Sequence, residues 1–137
     1  MPKQIVPVPV LSEALSHAPL SLVTRAGNFV YVSGTPPYSH VTGELVIGDI
    51  RTQTREALAS LEACLTAAGA TKADVVNVRI YCANAGWYSL INEVYADFFG
   101  SDFPTRTFVP VASWPAQFDL EIDCVAYLGD SDQDHRS

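Results

Sequence analysis

Two stretches of strict alternation, residues 75–83 and 118–127, constrain this chain more than any other feature. In the first, Val76, Val78, Ile80 and Cys82 fall on one side and Asn77, Arg79 and Tyr81 on the other. In the second, Phe118, Leu120, Ile122 and Cys124 oppose Asp119, Glu121 and Asp123. A period of two marks a half-buried β-strand, so both segments predict a sheet with one apolar face that something must cover. β-Branched and aromatic runs at residues 29–33 and 105–111 predict two more strands, with shorter ones near residues 20–24 and 44–47.

The cover is legible as two amphipathic helices. Over residues 49–68, apolar side chains recur at Ile50, Ala57, Leu58, Leu61, Leu65 and Ala68, close to the 3.6-residue repeat. Asp49 is placed to cap the first turn and Gly69 to end the last. Over residues 86–99, Trp87, Leu90, Ile91, Val94 and Phe98 form one stripe, closed by Gly100. The element order predicts an α+β sandwich over residues 1–129, with two helices on one face of the sheet. The other sheet face mixes polar and large residues, which suits either solvent or a wet subunit interface. Residues 130–137 read as a solvated acidic tail.

Composition narrows the function. Eight Lys and Arg against 15 Asp and Glu leave a formal net charge of −7 with no basic cluster, which argues against nucleic acid as a partner. No apolar run approaches the roughly 20 residues of a membrane span, and the N-terminus has no signal-peptide pattern, so the expected compartment is the cytoplasm. Cys64, Cys82 and Cys124 have neither paired nor metal-ligand spacing and predict free thiols. His17, His40 and His135 are far apart, so no metal is expected.

Three blocks carry a resemblance. They are Gly27-Asn28-Phe29-Val30-Tyr31-Val32-Ser33-Gly34; Gln53-Thr54-Arg55-Glu56-Ala57-Leu58 through Ala67-Ala68-Gly69 to Asp74-Val75-Val76; and Pro104-Thr105-Arg106-Thr107-Phe108-Val109, then Pro115, then Leu120-Glu121-Ile122. Together they resemble the RidA (YjgF/UK114) family. The third block is the most specific, a Pro-x-Arg followed at fixed distance by an apolar-Glu-apolar triplet. Val30-Tyr31-Val32-Ser33-Gly34-Thr35-Pro36-Pro37 and Asn92-Glu93-Val94-Tyr95-Ala96-Asp97-Phe98-Phe99 are similar to the RutC-like aminoacrylate branch. The resemblance implies a chorismate-mutase-like fold, a homotrimer with clefts between subunits, and cofactor-independent hydrolysis of enamines and imines to 2-oxo acids and ammonia.

The residue types suit that chemistry. A 2-imino acid offers a carboxylate and an electrophilic C=N carbon, and a guanidinium fork grips a carboxylate through two parallel hydrogen bonds. Arg106 matches the family's carboxylate-binding arginine, and Glu121 matches the glutamate able to orient water or shuttle its proton. Ser33 and Gly34 match the cleft's Ser-Gly, where a missing Cβ lets backbone approach a ligand. Asn92 is a candidate donor to substrate. Three positions depart from the family pattern: Leu20 stands where a cleft tyrosine is usual, Phe108 where Cys is common, and Trp114 where a smaller aliphatic residue is usual. All three are expected to line a more apolar cleft. The alternative is a non-catalytic trimer that captures a small carboxylate; an RNA-directed role, attached to some relatives, is disfavoured by the charge.

Overall fold

The structure, a computed structural model, describes residues 2–129; the tail expected at residues 130–137 lies outside the described residues. Six strands and three helices follow in the order β1 (Gln4–Ile5), α1 (Leu11–Ala14), β2 (Val23–Ala26), β3 (Phe29–Thr35), α2 (Ile50–Ala67), β4 (Val75–Cys82), α3 (Tyr88–Phe99), β5 (Thr105–Pro110) and β6 (Leu120–Tyr127). The strands form one mixed sheet in the order β1-β2-β3-β6-β4-β5. Every neighbour pair is antiparallel except β4 and β5, which run parallel because α3 carries the chain back between them. None of the described helices is long and apolar enough to cross a membrane.

Alternation decides which face is covered. Val30 and Val32 of β3, Val78, Ile80 and Cys82 of β4, and Leu120, Ile122, Cys124 and Ala126 of β6 are buried. Helix α2 packs over β3 and β6 with Ala57, Leu58, Leu61 and Leu65, and α3 lies along α2. A fully buried Leu or Ile contributes about 1.5–3 kcal/mol, so this layer supplies the main stabilisation of the fold. Both expected caps form: the Asp49 carboxylate accepts from the Thr52 N–H at 2.9 Å, and Gly69 takes a φ of +79°, open to glycine without strain. The cysteines are buried free thiols whose pKa values burial raises, Cys64 to about 12.

Several sequence expectations shift in detail. Val76 does not share the buried face: the β4–β6 register slips between Val75 and Asn77, which puts Val75 inside and leaves Val76 exposed. The strand expected near residues 20–24 starts at Val23 and leaves Leu20 in a loop. Residues 44–47 make one bridge, Leu45 to Tyr38, rather than a strand. Turn chemistry wins there, since the Ser39 hydroxyl accepts from the N–H groups of Val41 and Thr42 and Gly43 adopts a left-handed φ of +79°. The second helix begins two residues later than expected, after a 3-10 turn at Ala85–Trp87 where the Asn84 side chain accepts from the Gly86 N–H. The single-turn helix α1 was not anticipated.

Candidate functional site

Strand register sorts the candidate residues into two groups. Arg106 pairs with Val78 and Phe108 with Ile80, so both lie on the helix-covered side of the sheet, at its β5 edge. Glu121 pairs with Tyr81 and belongs to the opposite, open side, with Asp123. The two residues matched to the family's Pro-x-Arg and apolar-Glu-apolar signature therefore face opposite ways in one protomer.

The Arg106 group is built by helix α3. Tyr88, Asn92 and Tyr95 are spaced four and three residues apart, which stacks them along one face of the helix. Arg106 Nη1 donates to Asn92 Oδ1 at 2.7 Å and Nη2 to the Tyr88 hydroxyl at 3.2 Å. Its guanidinium carbon sits 4.9 Å from the Tyr95 ring centre and 5.4 Å from that of Tyr88, in cation–π range. Tyr88 also meets Phe108 edge-on at 5.0 Å. Among the described residues no carboxylate pairs with Arg106. Neutral hydrogen bonds and aromatic faces hold this cation in place, leaving its charge uncompensated and donors free for an incoming anion. The Tyr95 hydroxyl is buried without a partner, and burial pushes that phenol to about 12, against the opposing pull of Arg106.

The second group surrounds Glu121. Ser33 and Gly34 occupy the register shift between Val32 and Thr35 in β3. The Ser33 N–H donates to the Leu22 carbonyl at 2.8 Å, and the buried Thr35 hydroxyl is shared between the carbonyls of Ile122 at 2.8 Å and Ala57 at 3.1 Å. The main chain here is thus tied to β6 and α2. A Cβ on Gly34 would collide with Glu121 Oε1, so any larger residue there would force the carboxylate to move. Burial, and secondarily the Asp123 charge, raises the Glu121 pKa above its ordinary 4.5. This carboxyl opens into a crevice of about 440 Å³ whose lining includes Leu20, Leu22, Tyr38 and Phe118.

Of the three departures from the family pattern, only Leu20 lines this crevice. Phe108 sits with Arg106, and Trp114, outside the crevice lining, has its ring centre 5.1 Å from that of Phe118. Asn92 holds Arg106 itself. Sequence reasoning missed Tyr88 and Tyr95, although their spacing about Asn92 was a readable signal. It also missed a two-way clamp that secures the approach to Glu121. Gln53, buried in the first turn of α2, donates to the Asp119 carboxylate at 2.8 Å and accepts from the Asp119 N–H at 2.9 Å.

Comparison with known proteins gives a consistent result. A family model described as Endoribonuclease L-PSP matches residues 11–128. A RutC family protein, PH0854, of Pyrococcus horikoshii is 40% identical over 109 residues, 80% of this chain and 86% of that protein. The 2-iminobutanoate/2-iminopropanoate deaminase of Dermatophagoides farinae is 35% identical over 127 residues, 93% of this chain and 98% of that protein. The crystal structure of E. coli TdcF with bound serine superposes with a TM-score of 0.77 at 31% identity, covering 82% of this chain and 90% of that one.

Proposed function

Because the chain belongs to the RidA (YjgF/UK114) family, the family described as Endoribonuclease L-PSP, we propose that it is a cofactor-independent enamine and imine deaminase. Its substrates on this reading are 2-aminoacrylate-like enamines and 2-imino acids, converted to 2-oxo acids and ammonia. One observation carries the reading: Arg106 is a half-buried cation held by Asn92, Tyr88 and Tyr95 with no carboxylate partner among the described residues. An unpaired guanidinium so positioned suits the carboxylate of an imino acid. The deaminase name of the Dermatophagoides farinae relative agrees with this chemistry.

In the proposed reaction Arg106 fixes the carboxylate and so orients the adjacent C=N carbon. Glu121, ionised but with a raised pKa, takes a proton from a water as its oxygen bonds to that carbon. Glu121 returns the proton to nitrogen. As the C–N bond breaks it accepts the hydroxyl proton of the addition product and passes it to the departing ammonia, so a protonated imine plus water becomes a 2-oxo acid plus ammonium. Imines are electrophilic already, so positioning supplies much of the acceleration. Since Arg106 and Glu121 face opposite sides of one sheet, a substrate touching both must lie between two copies. That geometry supports the expected homotrimer, with the Arg106 group of one protomer meeting the Gly34–Glu121 group of its neighbour. The formal net charge of −7 argues against an RNA substrate.

The test generates 2-iminopropionate in situ with an amino-acid oxidase and traps it with semicarbazide. The wild-type protein competes with the trap. Arg106→Ala loses about 100-fold in kcat/KM, the loss expected when a charge-assisted pair to substrate is removed, while its elution on sizing chromatography is unchanged. A variant that competes as well as wild type would overturn the assignment of Arg106. The binding-only alternative has a different signature, thermal stabilisation by pyruvate without competition.

A further inference from the structure

The Glu121 crevice is built for one kind of substituent. Leu20, Leu22, Pro36 and Phe118 form its wall, and the Trp114 ring lies 5.1 Å from that of Phe118. Among the described lining residues there is no Lys or Arg, Glu121 is the only acid and His17 the only imidazole. This protomer itself contributes no fixed cation there to pair a second carboxylate on a substrate. Leu20 is 51% exposed in the free protomer, so an apolar group already meets water at the crevice mouth. In the single protomer the crevice measures about 440 Å³, more than the methyl of 2-iminopropionate would occupy.

We infer that the crevice beside Glu121 selects 2-imino acids bearing a bulky apolar substituent, branched aliphatic or aromatic, over those bearing a methyl group. The inference rests on the site proposed above. With the carboxylate on Arg106 and the C=N carbon at Glu121, the substituent on that carbon is directed along the Leu20, Leu22 and Phe118 wall. Leu22, Pro36 and Phe118 are already buried, so Leu20 is the part of that wall that still meets water. A substituent packed on it removes that apolar surface from water, and each methylene so buried is worth about 10-fold or more in selectivity. Leu20, at the rim, is the residue whose polarity can be changed with least disturbance of the core.

The trap assay run with imines made from alanine, leucine and phenylalanine decides the matter. The leucine- and phenylalanine-derived imines should show kcat/KM at least about 10-fold above the alanine-derived imine, and Leu20→Asn should narrow that ratio. Equal rates, or faster turnover of the alanine-derived imine, overturn the inference while leaving the deaminase reading intact. A ratio that Leu20→Asn does not alter also overturns it. If no imine competes, the deaminase reading fails, and thermal stabilisation by 2-oxo acids then settles the binding preference. A larger shift with 4-methyl-2-oxopentanoate than with pyruvate at equal concentration supports the apolar crevice; equal shifts overturn it.

Discussion

The burial that raises the Glu121 pKa sets a pH dependence with a definite sign. As a proton acceptor, Glu121 works only when ionised, and a raised pKa keeps it protonated to higher pH than a free carboxyl. The acid limb of kcat/KM, which reports the free protein, should therefore lie above the ordinary 4.5 and vanish from the residual activity of Glu121→Gln. A limb at or below 4.5 in the wild type would remove Glu121 from this role. The same shift acts on folding: its contribution is complete below the ordinary value and is lost as pH rises through the raised one. Gly34 belongs to the same argument, because any side chain there would displace the carboxylate. At this scale the sequence names residues and says little of their surroundings. Arg106, Glu121 and Gly34 were legible as a motif, whereas the tyrosines under Arg106 and the Gln53–Asp119 clamp depend on contacts between distant segments. Trp114, expected in the cleft, is not among the residues lining the Glu121 crevice of one protomer and packs 5.1 Å from Phe118.

At the scale of the elements, α2 is the part on which the most depends. Its N-cap, Asp49, accepts from the Thr52 N–H, and that hydrogen bond lowers its pKa below the ordinary 3.8, with Arg55 and Arg51 adding to the effect. A depressed carboxyl stabilises the fold above its unfolded pKa, and this contribution is lost as pH falls through the folded value. Asp49→Ala should lower the melting temperature at neutral pH, Asp49→Asn should keep most of it because Asn also caps, and the gap between wild type and Asp49→Ala should close in strong acid. A gap unchanged by pH would assign the effect to something other than the charged cap. This helix was readable to within a residue because cap, periodicity and stop agree. The strand expected at residues 44–47 failed where those signals conflicted, with local turns overriding β-branched composition. The slip in β4 that exposes Val76 left no trace in the alternation, since one inserted residue changes the face without changing residue types.

For the whole molecule, the central feature is that one sheet separates the two halves of the candidate site. Arg106 stands with α3 on the covered side and Glu121 with Gly34 on the open side, so the proposed chemistry requires two copies. Neither the motif spacing nor the composition could reveal this, because it follows from register across β4. It makes complementation the most direct test. Arg106→Ala and Glu121→Gln, each with only residual activity, are purified, then unfolded together in equal amounts and refolded. In a ring where each cleft takes its arginine from one chain and its glutamate from the next, random mixing restores roughly a quarter of the clefts. Our account predicts recovery of about that fraction of wild-type activity from the mixture, while each variant refolded alone stays at its own residual level. A refolded mixture no more active than its parents, with mixed oligomers demonstrated by mass, would contradict it.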